Sequence, residues 1–134
     1  MIRTISIPYY TSSMDLHVEE KNLKTVITAK TEDYVPEKSP KELIEDALEH
    51  PIGTPKLSEL AKGKNKVVLV TSDHTRAVPS RLTLPILLKE IRKGNPDADI
   101  IILIATGLHR ETTEEEQRRM FGDDIVDHEK ISVN

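Results

Sequence analysis

Two short apolar runs, each followed at once by a polar turn, constrain the fold of this chain most. The first run, VVLV at residues 67–70, leads into the turn at residues 72–76, and the second, IIILIA at residues 100–105, leads into the turn at residues 106–110. Almost every residue in these runs is apolar, rather than every second one, so the runs predict buried parallel strands. Both polar turns therefore lie at strand ends.

The stretch between the two runs predicts a helix over residues 80–93, because Leu84, Leu87, Leu88 and Ile91 recur at helical spacing. Pro85 lies within this pattern, and a missing amide is tolerated best in the first turn, so the regular helix is expected to begin nearer residue 82 than residue 80. A strand, a helix and a second strand of this length form a right-handed crossover that makes the strands parallel.

Parallel strands bring the two polar turns to one edge of the sheet. Neighbouring strands lie about 5 Å apart, or about twice that distance with another strand between them. Asp73, His74, Arg76 and His109 are therefore expected to converge on one small ligand, as open α/β sheets bind ligands in this crevice.

The amino-terminal part of the chain predicts a different arrangement. Stretches of alternating character at residues 5–7, 16–18 and 25–28 indicate two or three antiparallel strands. These strands would cover a sheet edge or form a small separate sheet.

Helix-start signals mark the remaining elements. Residues 39–42, SPKE, combine a capping serine, a proline at the first helical position and a glutamate that returns a bond to the cap. Apolar residues 43, 44, 47 and 48 predict the buried stripe of this helix. A short helix is predicted over residues 56–62 and a strand at residues 131–133. Thr112 and Thr113 precede Glu115 and Glu116 at capping-box spacing, which predicts a further helix start, and Gly122 supplies the stop of that helix. The fold class is α/β: a Rossmann-like parallel sheet with flanking helices, preceded by a small antiparallel β segment.

Composition excludes several classes of function. The 134 residues suffice for one domain, and 19 Lys and Arg against 23 Asp and Glu, scattered along the chain, argue against a nucleic-acid partner. Without cysteine there is no disulfide, thiolate nucleophile or Cys-ligated metal, and the histidines show no metal-ligand spacing. No apolar run is long enough to cross a bilayer and no signal peptide is evident, so a cytoplasmic protein without membrane contacts is expected.

The residue types at the strand ends suit an anionic substrate that undergoes proton transfer. The Arg76 guanidinium matches a carboxylate or phosphate, and the His109 imidazole can take or give a proton. Thr71 and Ser72 add hydroxyls beside a helix start, which is an anion site. The structural alternatives are that Asp73 caps the following segment, that Arg76 forms a surface ion pair, and that His109 only completes a turn.

Three motifs, SDHTRAVP at residues 72–79, ATGLHR at residues 105–110 and HPIGTP at residues 50–55, resemble the amino-terminal region of the nickel-dependent lactate racemase family. The resemblance implies an enzyme of two α/β domains with the active site between them. It also implies a nickel-pincer nucleotide, pyridinium-3,5-bisthiocarboxylic acid mononucleotide with nickel, attached through a lysine and aided by a histidine ligand. In such enzymes a histidine removes the hydroxyl proton of an α-hydroxy acid while hydride passes to the cofactor.

The resemblance also implies roles for particular residues. His109 matches one of two acid–base histidines, Arg76 the arginine that grips the substrate carboxylate, and Asp73 the acidic residue that helps order the polar network. Arg76 and Asp73 are therefore expected to be the substrate-binding residues. Physical reasoning, and not the resemblance, predicts that Thr71 and Ser72 contact the nucleotide phosphate, because their hydroxyls lie beside a helix start. No family role extends to His74.

The cofactor-bearing lysine, the nickel-binding histidine and the second acid–base histidine are expected beyond residue 134. Residues 1–134 are thus expected to be the amino-terminal part of the catalytic domain of a longer protein, partnered by its carboxy-terminal domain and inactive alone. One alternative is a non-catalytic Rossmann-like module that binds a small anion or a nucleotide phosphate. Another is an interaction domain in which the strand-end residues only cap and pair.

Overall fold

A computed structural model of the protein describes residues 1–31 and 33–134 in full and only the backbone of residue 32. The chain divides into two units, residues 1–37 and residues 38–134. The site residues all lie in the second unit.

The first unit is built on an antiparallel hairpin of β1 (Ile2–Tyr9) and β2 (Ser12–Glu19). Directly opposite residues share a face, so the pairs Ile5–Leu16 and Ile7–Met14 form an apolar face. The hairpin confirms two antiparallel strands in a small separate sheet, while residues 25–28 belong to no strand.

The second unit contains a parallel sheet of three strands in the order β3 (Lys66–Ser72), β4 (Asp99–Ala105), β5 (Lys130–Val133). Both predicted core strands are confirmed, and they pair directly, with Ser72 opposite Ala105 at their carboxyl ends. The third strand pairs on the other side of β4. No strand therefore separates the two polar turns.

Five α-helices accompany the sheet among the residues described: α1 (Pro40–Glu49), α2 (Leu57–Ala61), α3 (Ser80–Gly94), α4 (Glu114–Phe121) and α5 (Asp123–His128). Both capping boxes expected from the sequence are present, Ser39 with Glu42 and Thr113 with Glu116. Gly122 ends α4 with a φ of 92°, a conformation that favours glycine. The helix α5 carried no separate sequence signal.

The core lies between one face of the sheet and helices α2 to α5. Every second residue of β4 points into it: Ile100, Ile102 and Ile104 are almost wholly buried beside Ile91 and Phe121. This alternation fixes the register of β4, because a slip by one residue would move every one of these side chains to the other face.

The opposite face of the sheet is much less covered, which corrects part of the sequence prediction. Val68 and Val70 are 46% and 68% exposed, although their run predicted a buried strand. The predicted stripe of α1 is likewise not buried: Leu43 is exposed and Ile44 is half-buried. The reason is the same in both cases: β3 and α1 contain more apolar side chains than the elements packed against them cover, so some of these side chains stay exposed.

Helix α3 begins at Ser80, earlier than the position of Pro85 predicted. Pro85 therefore lies in the second turn, on the exposed side, and the carbonyl that its amide would have bonded belongs to the exposed Arg81. Water can satisfy that carbonyl, which makes the proline tolerable there. No helix in residues 1–31 and 33–134 is long and apolar enough to span a membrane.

Candidate active site

The two polar turns meet at the carboxyl edge of β3 and β4. They line an open cleft of about 360 Å³ formed by Ser72, Asp73 and Arg76 from the first turn and by residues 105–109 from the second. The juxtaposition of His109 and Arg76 predicted from the strand order is thus present. It follows from direct pairing of two parallel strands that end level with each other.

Asp73 is the buried centre of this edge, only 2% exposed. Its Oδ1 accepts hydrogen bonds from the Thr75 hydroxyl at 2.6 Å and the Thr75 amide at 3.1 Å, and its Oδ2 lies 2.5 Å from His109 Nδ1. The hydrogen bond from the Thr75 hydroxyl, followed by that from His109, lowers the pKa of Asp73 to about 2 against the opposing effect of burial. Asp73 is therefore an ionised acceptor at neutral pH.

His109 is oriented by this carboxylate. An ionised carboxylate only accepts hydrogen bonds, so its short contact requires the proton of a neutral His109 ring to lie on Nδ1. The Nε2 atom then keeps a free electron pair. The imidazole is about half-exposed, with 47% of its side chain accessible, and it lines the cleft. An imidazole held in this way by a buried carboxylate is able to accept a proton at Nε2.

The backbone of the second turn depends on Gly107. Its φ is 61°, a left-handed conformation that L side chains rarely adopt, and the His109 amide bonds back to the Thr106 carbonyl at 3.1 Å. Among the residues described, no atom lies within 4 Å of a Cβ built at Gly107. Glycine is therefore favoured here by the turn and not by a close neighbour.

Arg76 supplies the positive charge of the cleft. Its side chain is exposed and lines the cleft with His109. In the part of the chain that the structure describes in full, no side chain pairs with its guanidinium, which leaves the planar donor set open to an anion. The alternative of a surface ion pair does not apply to Arg76 within these residues.

The structure separates the two residues expected to contact a phosphate. Ser72 lines the cleft, whereas the Thr71 hydroxyl turns to the other face of the strand and lies 3.3 Å from the hydroxyl of Ser80 at the start of α3. His74 also leaves the cleft: its Nδ1 lies 3.4 Å from the Thr112 hydroxyl. Of the residues described, no three His, Asp or Glu side chains are grouped closely enough to hold a metal ion.

Two residues that take part in the hydrogen-bond network of the site were not predicted from the sequence. Thr75 gives Asp73 two hydrogen bonds, and Glu116 binds Arg110 in a bidentate ion pair. Thr75 lies inside the first motif, and an aspartate side chain that accepts from the backbone amide two residues later is a recognisable turn pattern. For Glu116 the capping-box spacing was visible, but its pairing with Arg110 depends on how the turn folds back.

Comparison with known proteins finds relatives whose sequence similarity extends over nearly the whole chain. The family described as lactate racemase N-terminal domain matches residues 9–134. The lactate racemase of Thermoanaerobacterium thermosaccharolyticum is 45% identical over 130 residues, which are 97% of this chain and 30% of that protein. The lactate racemase of Lactiplantibacillus plantarum is 42% identical over 130 residues, 97% of this chain and 31% of that protein.

A solved structure is similar at the level of the fold. The lactate racemase apoprotein from Thermoanaerobacterium thermosaccharolyticum matches with a TM-score of 0.84 at 44% sequence identity, covering 98% of this chain and 30% of that one. The α/β fold expected from the sequence is thus confirmed. The chain spans about 30% of the length of these relatives.

Proposed function

The chain belongs to the lactate racemase N-terminal domain family, and we propose that it forms the substrate-facing part of an α-hydroxyacid racemase or epimerase. The observation that carries this proposal is the cleft in which His109, held by the buried Asp73, lies beside Arg76, whose guanidinium has no side-chain partner among the residues described in full. A substrate with a hydroxyl on the carbon next to its carboxylate needs a cation to bind the carboxylate and a base to accept the hydroxyl proton. The substrate is therefore lactate or another small α-hydroxy acid.

Each residue has a distinct part in the proposed reaction. The Arg76 guanidinium binds the substrate carboxylate through paired hydrogen bonds. His109 Nε2 accepts the proton of the substrate hydroxyl, while Asp73 holds the proton on Nδ1 and stabilises the imidazolium that forms. Asp73 thus acts on His109, although the sequence placed it among the substrate-binding residues.

The family resemblance implies a nickel-pincer nucleotide, which when bound supplies an acceptor for the hydride on the α-carbon. Of the residues described, only Ser72 fits its phosphate end, because Ser72 offers a hydroxyl in the cleft. The Thr71 hydroxyl lies against that of Ser80, and neither residue lines the cleft. The residues described do not form the metal site. The lysine anchor, the nickel ligand and the second acid–base histidine are proposed to lie in the remaining part of the complete protein.

Residues 1–134 are accordingly proposed to be the amino-terminal part of a two-domain protein, inactive alone. Mass spectrometry of the 134-residue chain after incubation with the cofactor should show no covalent adduct. A stable adduct would place an anchor within this chain and contradict the proposal.

Substitution of the two cleft residues tests the chemistry in the complete protein. His109→Ala should nearly abolish interconversion of the enantiomers and leave substrate binding almost unchanged, because the carboxylate site remains. Arg76→Ala should weaken substrate binding as well as turnover. Unchanged turnover in His109→Ala would instead favour a non-catalytic module that binds a small anion, and unchanged ligand binding in both variants would favour an interaction domain.

A further inference from the structure

A second polar cluster adjoins the cleft and is centred on Glu116, which is 8% exposed. Its Oε2 accepts hydrogen bonds from the Thr113 amide at 2.9 Å, the Thr113 hydroxyl at 3.2 Å and Arg110 Nη1 at 2.8 Å, and its Oε1 accepts one from Arg110 Nη2 at 2.6 Å. The Arg110 guanidinium, and after it the Thr113 amide, lowers the pKa of Glu116 well below its usual range. A buried carboxylate is thus fully satisfied by one arginine and one threonine.

Glu116 makes more hydrogen bonds than a helix cap requires, as comparison with the other capping box of this chain shows. The capping box of α1 uses Glu42 in the same position, but Glu42 is exposed and returns its bond only to the Ser39 amide, at 2.8 Å. No arginine pairs with Glu42 in the fully described part of the chain. The additional contacts of Glu116 therefore serve something other than the start of α4.

The contacts of Glu116 reach the sequence neighbours of both Asp73 and His109. Arg110 follows His109 directly, and its guanidinium is held in a bidentate pair. His74 follows Asp73 directly, and its Nδ1 lies 3.8 Å from Glu116 Oε2. One carboxylate on α4 thus adjoins both strand-end turns immediately beside the two residues whose 2.5 Å contact orients the imidazole.

We propose that Glu116 is a positioning residue, which through Arg110 fixes the turn that carries His109 and so holds its imidazole against Asp73. This inference rests on the function proposed above. Positioning of a reacting group within a fraction of an ångström is worth orders of magnitude in rate, so loosening this turn lowers turnover without removing any group that touches the substrate.

The substitution Glu116→Gln separates positioning from capping in the complete protein. Glutamine keeps an oxygen for the Thr113 amide, as capping boxes allow, but its amide group cannot accept from Arg110, so the bidentate pair is lost. We expect kcat to fall about 10- to 100-fold with KM within about twofold, because the carboxylate site at Arg76 is untouched. Glu42→Gln makes the same chemical change in the other capping box and should leave both constants unchanged.

Arg110 provides the second variant. Arg110→Ala should lower kcat to a similar extent, and the double variant Arg110→Ala, Glu116→Gln should be no slower than the slower single variant, because both changes break one contact. A kcat for Glu116→Gln within twofold of the wild type, or fully multiplicative losses in the double variant, would overturn the proposal. An equal fall in kcat for Glu42→Gln would do so as well, since it would trace the loss to general stability.

A readout independent of activity distinguishes failure of this inference from failure of the proposed function. In complete protein labelled with ¹⁵N-histidine, with His109 assigned through His109→Gln, the ring nitrogens should report a proton on Nδ1. Glu116→Gln should shift these signals and leave those of His17, in the hairpin, unchanged. Unshifted His109 signals would refute the positioning role, whereas shifted signals with a fully active His109→Ala variant would refute only the catalytic role of His109.

Discussion

The substitution Asp73→Asn tests the central contact of the site. Asparagine keeps one acceptor oxygen, enough for the two hydrogen bonds from Thr75, but presents an amide group to His109 in place of Oδ2. That group donates and cannot accept, so the neutral imidazole must turn away or move its proton to Nε2. Either change removes the free electron pair from the cleft.

The size of the effect follows from which contacts are lost. Because the bonds to Thr75 survive and Arg76 is untouched, the loss falls on His109 alone, and it is bounded by what a general base contributes, about 10²- to 10⁴-fold. The wrong tautomer in a serine-protease triad lowers kcat by about 10⁴. We therefore expect kcat for Asp73→Asn to fall by about 10² to 10⁴, with KM changed little.

The assay is steady-state interconversion of the enantiomers of an α-hydroxy acid by the complete protein. Asp97→Asn is the matched control, because Asp97 is an exposed aspartate in the loop before β4 and lies outside the cleft. A kcat for Asp73→Asn within threefold of the wild type would show that Asp73 does not orient the base. A large rise in KM with unchanged kcat would place Asp73 on the substrate instead.

Two further predictions concern the folded chain itself. A Cβ at Gly94 would lie 1.8 Å from the backbone carbonyl oxygen of Ser58, so Gly94→Ala should push α3 away from α2. The free energy of unfolding, measured with urea, should fall by about 1–3 kcal/mol or more. An unchanged unfolding midpoint would contradict the close approach of the two helices. Because the pKa of Asp73 is lowered to about 2 in the folded chain, its ionised form stabilises the fold above its ordinary pKa near 3.8, and this stabilisation is lost as the pH falls toward 2. The stability difference between wild type and Asp73→Asn should therefore be largest above about pH 4 and shrink below it in acid titrations followed by circular dichroism; a difference that grows with acid would refute the assignment.

Local sequence signals predicted most of the fold. Apolar runs located β3 and β4, and the capping boxes at Ser39 and Thr113 located the starts of α1 and α4, because each signal depends on residues adjacent in the chain. Burial was predicted less well. An apolar run shows that a strand can be buried, but not which of its two faces this chain covers, so the exposure of Val70 was not foreseen.

The topology predicted from the sequence located the candidate site, but not the contacts between its side chains. The strand order places Arg76 and His109 at one edge, but the pairing of Asp73 with His109 depends on side-chain directions within two turns, which no spacing rule specifies. The same holds for Glu116, which reads as an ordinary first-turn acid until α4 is folded back onto Arg110. Contacts between turns that are far apart in the chain depend on the folded arrangement, so spacing within a single sequence does not predict them.

The less covered face of the parallel sheet has a practical consequence for handling this chain in isolation. Val68 and Val70 are exposed on β3, which lies at the edge of the three-stranded sheet among the residues described. An exposed apolar edge strand offers both apolar contact and backbone hydrogen bonding to another copy. Solutions of the chain on its own are therefore expected to self-associate as concentration rises. Replacing Val70 with threonine or lysine is the natural first step toward a monodisperse sample for crystallisation or spectroscopy.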